Sequence, residues 1–127
     1  MAKKDISERK DIELMVSSFY KEVLNDDVIG YLFTEVVKLD FDHHMPIMYD
    51  FWESVLLGGR NYSGNPMTPH FNLHEKESLK ETHFERWIKL WEQTIRNHFE
   101  GPKANEAISR AKQIAGLMQF KIIGLNN

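Results

Sequence analysis

An all-α fold is predicted for this 127-residue chain on three observations. Apolar residues recur at intervals of three and four along four separate stretches, the period of one buried helix face. Helix breakers and caps stand between those stretches, at Asn25-Asp26-Asp27, Asp40-Phe41-Asp42, Gly58-Gly59 and Gly101-Pro102. No stretch alternates apolar and polar residues as a half-buried strand would.

The length suits one domain over residues 1–127, which would bury roughly two thirds of the surface its unfolded chain exposes. The 16 basic and 19 acidic residues leave a formal charge of -3, and the basic ones are interspersed with acidic ones. That pattern offers no footprint for nucleic acid or an anionic membrane. Without cysteine there is no disulfide, thiolate metal site or thioether-attached haem, so a metal must be held by His, carboxylates or a cofactor. The start MAKKDISERK lacks the apolar core of a secretory signal, and no apolar run approaches the roughly 20 residues of a membrane span. A soluble cytoplasmic protein is the expectation. Its aromatic supply is generous, with 8 Phe, 4 Tyr and 3 Trp to fill an interior or line a flat apolar ligand.

The first helix begins at Asp5, whose spacing to Glu8 is that of a capping box, and buries Ile12, Met15, Val16, Phe19 and Val23. Tyr20 falls on the same face as Ile12, so its hydroxyl needs an interior partner, either a backbone carbonyl or a ligand. Asn25-Asp26-Asp27 ends or bends this helix, and a short segment with Gly30, Tyr31, Leu32 and a buried Phe33 follows. The next helix opens at Asp40-Phe41-Asp42 and runs to Gly58-Gly59. Pro46 places His43 and His44 in a first turn or a kinked start. His44 shares a face with Met48, Phe51 or Trp52, and Val55, while His43 is offset by about 100°.

Gly58 to Pro69 reads as a surface loop, and Thr68-Pro69 as the cap and first residue of a short helix. His70 then lies near a helix N-terminus, where the dipole favours a neutral ring able to bind a metal. The alternative is a surface or half-buried histidine with no such role. His70 and His74 have the i, i+4 spacing of a shared zinc site, but the second histidine of an H-E-x-x-H motif is missing. Thr82 and Glu85 form a T-x-x-E capping box before a stripe of Phe84, Trp87, Ile88, Trp91 and Ile95, which Gly101-Pro102 stops. Trp87 aims an indole N–H inward, toward a carbonyl or a ligand. The last helix spans about 104–123, with Ala107, Ile108, Ala111, Ala115, Met118 and Ile122 inward. Phosphate-loop and nucleophile-elbow motifs are absent.

In order, these residues resemble a truncated haemoglobin of the group III branch. The resemblance rests on Phe19-Tyr20, Phe33, His44-Met45-Pro46 through Trp52, Tyr62-Ser63-Gly64-Asn65-Pro66, His70 with Leu73, and His83-Phe84 through Trp87 and Leu90-Trp91. It spans about residues 8–123. It implies a two-over-two helical sandwich around one non-covalent haem b, with His70 as the proximal iron ligand. It further implies Tyr20, His44, Trp87 and Met48 on the distal side, and Phe33, Trp52, Phe84, Ile88 and Met118 against the cofactor. Phe41 stands where many relatives carry tryptophan, and the pair His43-His44 leaves the distal register open by one residue.

A five-coordinate iron with a polar distal side would bind dioxygen or another diatomic gas such as nitric oxide or carbon monoxide. Donors from Tyr20 and Trp87 would hold a ligand bearing partial negative charge. His44 could gate access, donate to the ligand or bind iron itself. The same donors could promote nitric oxide dioxygenation or peroxide chemistry, which would need an external reductase because no flavin or nicotinamide motif is present. A non-haem module using His70 and His74 for zinc is the remote alternative, and it would be colourless.

Overall fold

The computed structural model describes residues 3–36, 40–60 and 79–126, with side chains as far as Lys121. Among the described residues four α-helices carry the fold: α1 (Arg9–Leu24), α2 (Phe41–Leu57), α3 (Glu81–His98) and α4 (Pro102–Asn126). A π-helical turn, Leu32–Val36, stands between α1 and α2. No strand occurs among the described residues. Helices α1 and α2 form one layer and α3 and α4 the other, with α1 packed on α3 and α2 on α4. This is the two-over-two sandwich expected from the sequence. None of these helices is long and apolar enough to cross a membrane.

The stripe read on α1 is its buried face, from Ile12 through Val23. Its N-cap, however, is Glu8 and not Asp5, and the box closes through Asp11, whose Oδ2 accepts the Glu8 N–H at 3.2 Å. The buried Asp11 carboxylate also accepts from the Ser7 N–H at 2.9 Å and from Lys4 Nζ at 2.7 Å. Asp5 has a longer-range task. Its two oxygens accept the N–H groups of Lys103 and Ala104, each at 2.9 Å, and so cap α4 from the other end of the chain. Pro102 leads that helix, where a missing N–H costs nothing, so it starts α4 as well as marking the break after α3. Gly101, at φ 139°, makes room: a Cβ there would lie 2.6 Å from Asp5 Cγ.

Asp5, Asp11 and Asp26 all have carboxyls held below the usual value of 3.8. Burial opposes that shift in each, and backbone N–H donors, joined at Asp11 by Lys4 and at Asp26 by Arg86, outweigh it. Each folded pKa is therefore depressed, so between it and 3.8 the unfolded chain holds more protons than the native one. The stabilisation is full above that window and is lost as pH falls through it. Urea unfolding at pH 6 and pH 3 will show lower stability at pH 3, and Asp5→Asn will lose less over the same interval. Asp5→Ala will cost about 1 kcal/mol at pH 7 through the lost cap.

At the C-terminus of α1, Asn25 ends the helix and Asp26 turns the chain, its Oδ2 accepting Val28 N–H at 3.0 Å and Ile29 N–H at 3.1 Å. Gly30 fits there because any Cβ would sit 2.9 Å from the carbonyl oxygen of Val23. Leu32 is buried in the π-helical turn, whereas Phe33, expected to be buried, is half-buried. Helix α2 has Asp40 as its N-cap and a left-handed Gly58, φ 76°, as its C-cap. It accommodates Pro46 internally and places both histidines in its first turn.

Helix α3 starts earlier than the T-x-x-E spacing suggests. Lys80 is its N-cap, and the N3 side chain that reaches back is His83, whose Nδ1 accepts the Lys80 N–H at 3.0 Å. An N–H can only be accepted by an unprotonated nitrogen, so His83 carries its proton on Nε2, which faces the Tyr31 hydroxyl at 3.2 Å.

The core centres on Trp91. Its ring stacks on Trp52 at 4.6 Å, meets Phe19 edge-on at 5.0 Å, and its N–H donates to the Ala107 carbonyl at 3.1 Å. One indole on α3 thus touches the other three helices. Ala104, Ala107, Ala111 and Ala115 are fully buried along α4, and their small side chains allow that close approach. Ile122 lies beyond the described side chains.

Candidate ligand pocket

Two helices bring Tyr20 and His44 together, and a third carries Trp87 against Phe19, the neighbour of Tyr20. The Tyr20 hydroxyl on α1 and His44 Nε2 on α2 are 2.8 Å apart, and the two rings meet at 5.3 Å and 87°. His43 points to solvent, so the ring that reaches Tyr20 is His44. Phe33 and Phe41 each present an edge to the Tyr20 ring at 5.9 Å, enclosing its aromatic body. Burial pushes the Tyr20 phenol upward. It is therefore a neutral hydroxyl at physiological pH, with a proton to place.

Where that proton goes is coupled to His44. If the hydroxyl donates to Nε2, the histidine is unprotonated there and the phenol proton is engaged. With the proton on Nε2, the bond runs the other way, and the phenol O–H is free to turn to a third group.

On α3, Trp87 and Trp91 lie one turn apart and differ in burial and in hydrogen bonding. Trp91 gives its N–H to Ala107, while the half-buried Trp87 has no acceptor for its N–H among the described residues. The Trp87 ring packs against the apolar core and, among the described residues, meets the ring of Phe19 edge-on at 6.1 Å. A backbone carbonyl as its partner, the bland expectation, is not what the described residues provide. Met48, one turn after His44, and Ile88, next to Trp87, are half-buried. Trp52, Phe84 and Met118 sit deeper, at 4, 6 and 2 % exposure, within the apolar core.

His70 and His74 lie outside the described residues, as do the loop beyond Arg60 and the short helix expected after Pro69. Among the described residues no group of three His, Cys, Asp or Glu could hold a metal.

Two polar pairs escaped the sequence reading. Arg86 on α3 binds Asp26, with Nη2 and Nε at 2.6 and 2.7 Å from the same Oδ1. Tyr31 meets His83 across the gap between the π-helical turn and α3. Asp26 had a local signal, as a helix-ending residue, but nothing in its neighbours names a partner 60 positions away.

Comparison with known proteins agrees with this architecture. The chain is 26 % identical over 114 residues to the group 3 truncated hemoglobin ctb of Campylobacter jejuni, covering 87 % of each. It also superimposes on the crystal structure of group III truncated hemoglobin from Campylobacter jejuni with a TM-score of 0.82, at 24 % identity and over 94 % of both chains. The resemblance to group III truncated haemoglobins and the truncated globin fold are thereby met. The sequence profile of bacterial-like globins matches residues 4–120, nearly the whole chain, and the protein belongs to that family.

Proposed function

We propose that this globin binds dioxygen, or another diatomic gas, at a five-coordinate haem b iron held by His70, with Tyr20, His44, Trp87 and Met48 on the distal side. Globin membership implies the haem. The observation that carries the reading is the Trp87 N–H, which has no acceptor among the described residues, on a helix that packs on the helix bearing Tyr20.

The residues fit the cofactor in chemistry. A half-buried Phe33, Met48 and Ile88 supply apolar surface next to polar donors, as a flat apolar group with a polar ligand requires. Haem supplies the iron at which a diatomic ligand binds. The protein supplies the rest: the Tyr20 hydroxyl and Trp87 N–H donate to a ligand bearing partial negative charge, and His44 holds or releases the Tyr20 proton. Burial keeps Tyr20 protonated, so it acts as a donor. The deeper Trp52, Phe84 and Met118 back the cofactor wall by holding α2, α3 and α4 in register. An external reductase would keep the iron ferrous, and the cytoplasm is the compartment we infer.

The test is the visible absorption spectrum of the haem-loaded protein in ferric, ferrous and carbon monoxide forms, beside His70→Ala. A stoichiometric haem spectrum that shifts with carbon monoxide and degrades in the variant is the expected result. Saturating haem that gives no specific spectrum would overturn the reading.

A further inference from the structure

We propose that the Asp26–Arg86 ion pair is a positioning pair that sets the Trp87 N–H toward the distal ligand site, an inference that rests on the ligand pocket proposed above. The starting point is that Trp87 has no polar tether among the described residues: its ring packs on the apolar core and meets Phe19 edge-on at 6.1 Å. Where its N–H points is therefore governed by how α3 is rotated and seated against α1.

Arg86, the residue before Trp87, supplies a polar tie at that level. Its guanidinium reaches Oδ1 of Asp26 through Nε at 2.7 Å and Nη2 at 2.6 Å. The other oxygen of Asp26 is already committed to the N–H groups of Val28 and Ile29. Its backbone N–H donates to the Val23 carbonyl at 3.0 Å, and its own carbonyl accepts the Gly30 N–H at 3.1 Å. The Asp26 side chain is only 3 % exposed, whereas that of Arg86 is 34 % exposed.

A carboxylate fixed at every other atom is a rigid anchor, so the guanidinium, and α3 with it, takes its position from the turn. That turn follows the helix bearing Tyr20 and leads into the π-helical turn bearing Phe33. One carboxylate thus references the Trp87 helix to the two elements that carry Tyr20 and Phe33. A surface ion pair would contribute little to such precision, but here one partner is buried and fully engaged.

The test uses the haem-loaded protein. Dioxygen dissociation is measured by stopped flow for Arg86→Gln in the Trp87 and the Trp87→Phe backgrounds, with Asp26→Asn as a second variant and circular dichroism to verify folding. The indole N–H resonance of Trp87, identified by its loss in Trp87→Phe, is followed in parallel. In the Trp87 background, Arg86→Gln and Asp26→Asn each speed dissociation about fivefold, the effect of a weakened but not abolished donor. In the Trp87→Phe background they leave it unchanged, the non-additivity that shared action requires. The Trp87 resonance shifts while that of Trp91 stays. Equal factors in both backgrounds, or an unmoved Trp87 resonance, overturn the positioning role. If Trp87→Phe alone leaves dissociation unchanged, it is the ligand role of Trp87 that fails, and the resonance still decides whether Arg86 positions the ring.

Discussion

Dioxygen will leave Tyr20→Phe roughly 10- to 100-fold faster than it leaves the unaltered protein, because a charge-assisted hydrogen bond contributes about 1.5–3 kcal/mol. The substitution is close to isosteric. The ring keeps its edge contacts with Phe19, Phe33, Phe41 and His44, all within 6 Å, so the apolar enclosure survives and only the hydroxyl is removed. Two bonds are lost together: the donor to the ligand and the 2.8 Å contact with His44.

His44→Leu separates them, since it leaves the Tyr20 hydroxyl in place without its neighbour. If His44 takes the phenol proton, this second variant retains the ligand more firmly than the unaltered protein does. Should it instead supply a proton to the phenol oxygen, the variant loses ligand faster. Stopped-flow displacement of dioxygen by carbon monoxide reads both. An unchanged off-rate in Tyr20→Phe would remove Tyr20 from the ligand network.

The sequence reached the helices because their evidence is local. The stripes on α1 and α3 repeat with the helix period: Ile12, Met15, Val16, Phe19 and Val23 are buried on α1, and Phe84, Trp91 and Ile95 on α3, where Trp87 and Ile88 are half-buried. Gly58 ended α2 as expected, since a left-handed C-cap is a backbone need that glycine meets alone. Two of the misreadings were of pairing. Asp5 has the spacing of a cap for α1, but its carboxylate caps α4, and no local pattern encodes a partner 98 residues away. Thr82 and Glu85 match a capping box, yet the helix starts at Glu81 because His83 accepts the Lys80 N–H first.

The same limit applied to the candidate pocket. Periodicity pointed Tyr20 and Trp87 inward and put His44, with His43 offset, on the apolar face of α2, but that His44 meets the Tyr20 hydroxyl depends on how α2 is rotated against α1. The ion pair of Arg9 with Asp50 at 2.8 Å is one contact that fixes that rotation. Phe33 was expected to be buried and is half-buried in a π-helical turn, whose wider coil no sequence period announces.

Trp91→Ala will cost about 3–5 kcal/mol of unfolding free energy, the largest stability loss expected from any single truncation in this core. Its indole is 2 % exposed and packs on Trp52 and Phe19, so removing it opens a cavity between α1, α2 and α3. The donor to Ala107 goes too, and with it the polar link between α3 and α4 at that level. A domain of this size has only about 5–15 kcal/mol to lose, so the variant will melt far below the unaltered protein or fail to accumulate. Trp87→Phe gives the opposite pattern. Its ring is half-buried and its N–H makes no bond among the described residues, so stability changes by about 1 kcal/mol or less while ligand dissociation quickens. Urea titration and dioxygen release measured on both variants, in the same haem-loaded state, check the pair. Two tryptophans one turn apart on α3 would then divide structure from ligand binding by two differences, the depth of the ring in the core and whether the indole N–H already has an acceptor among the described residues.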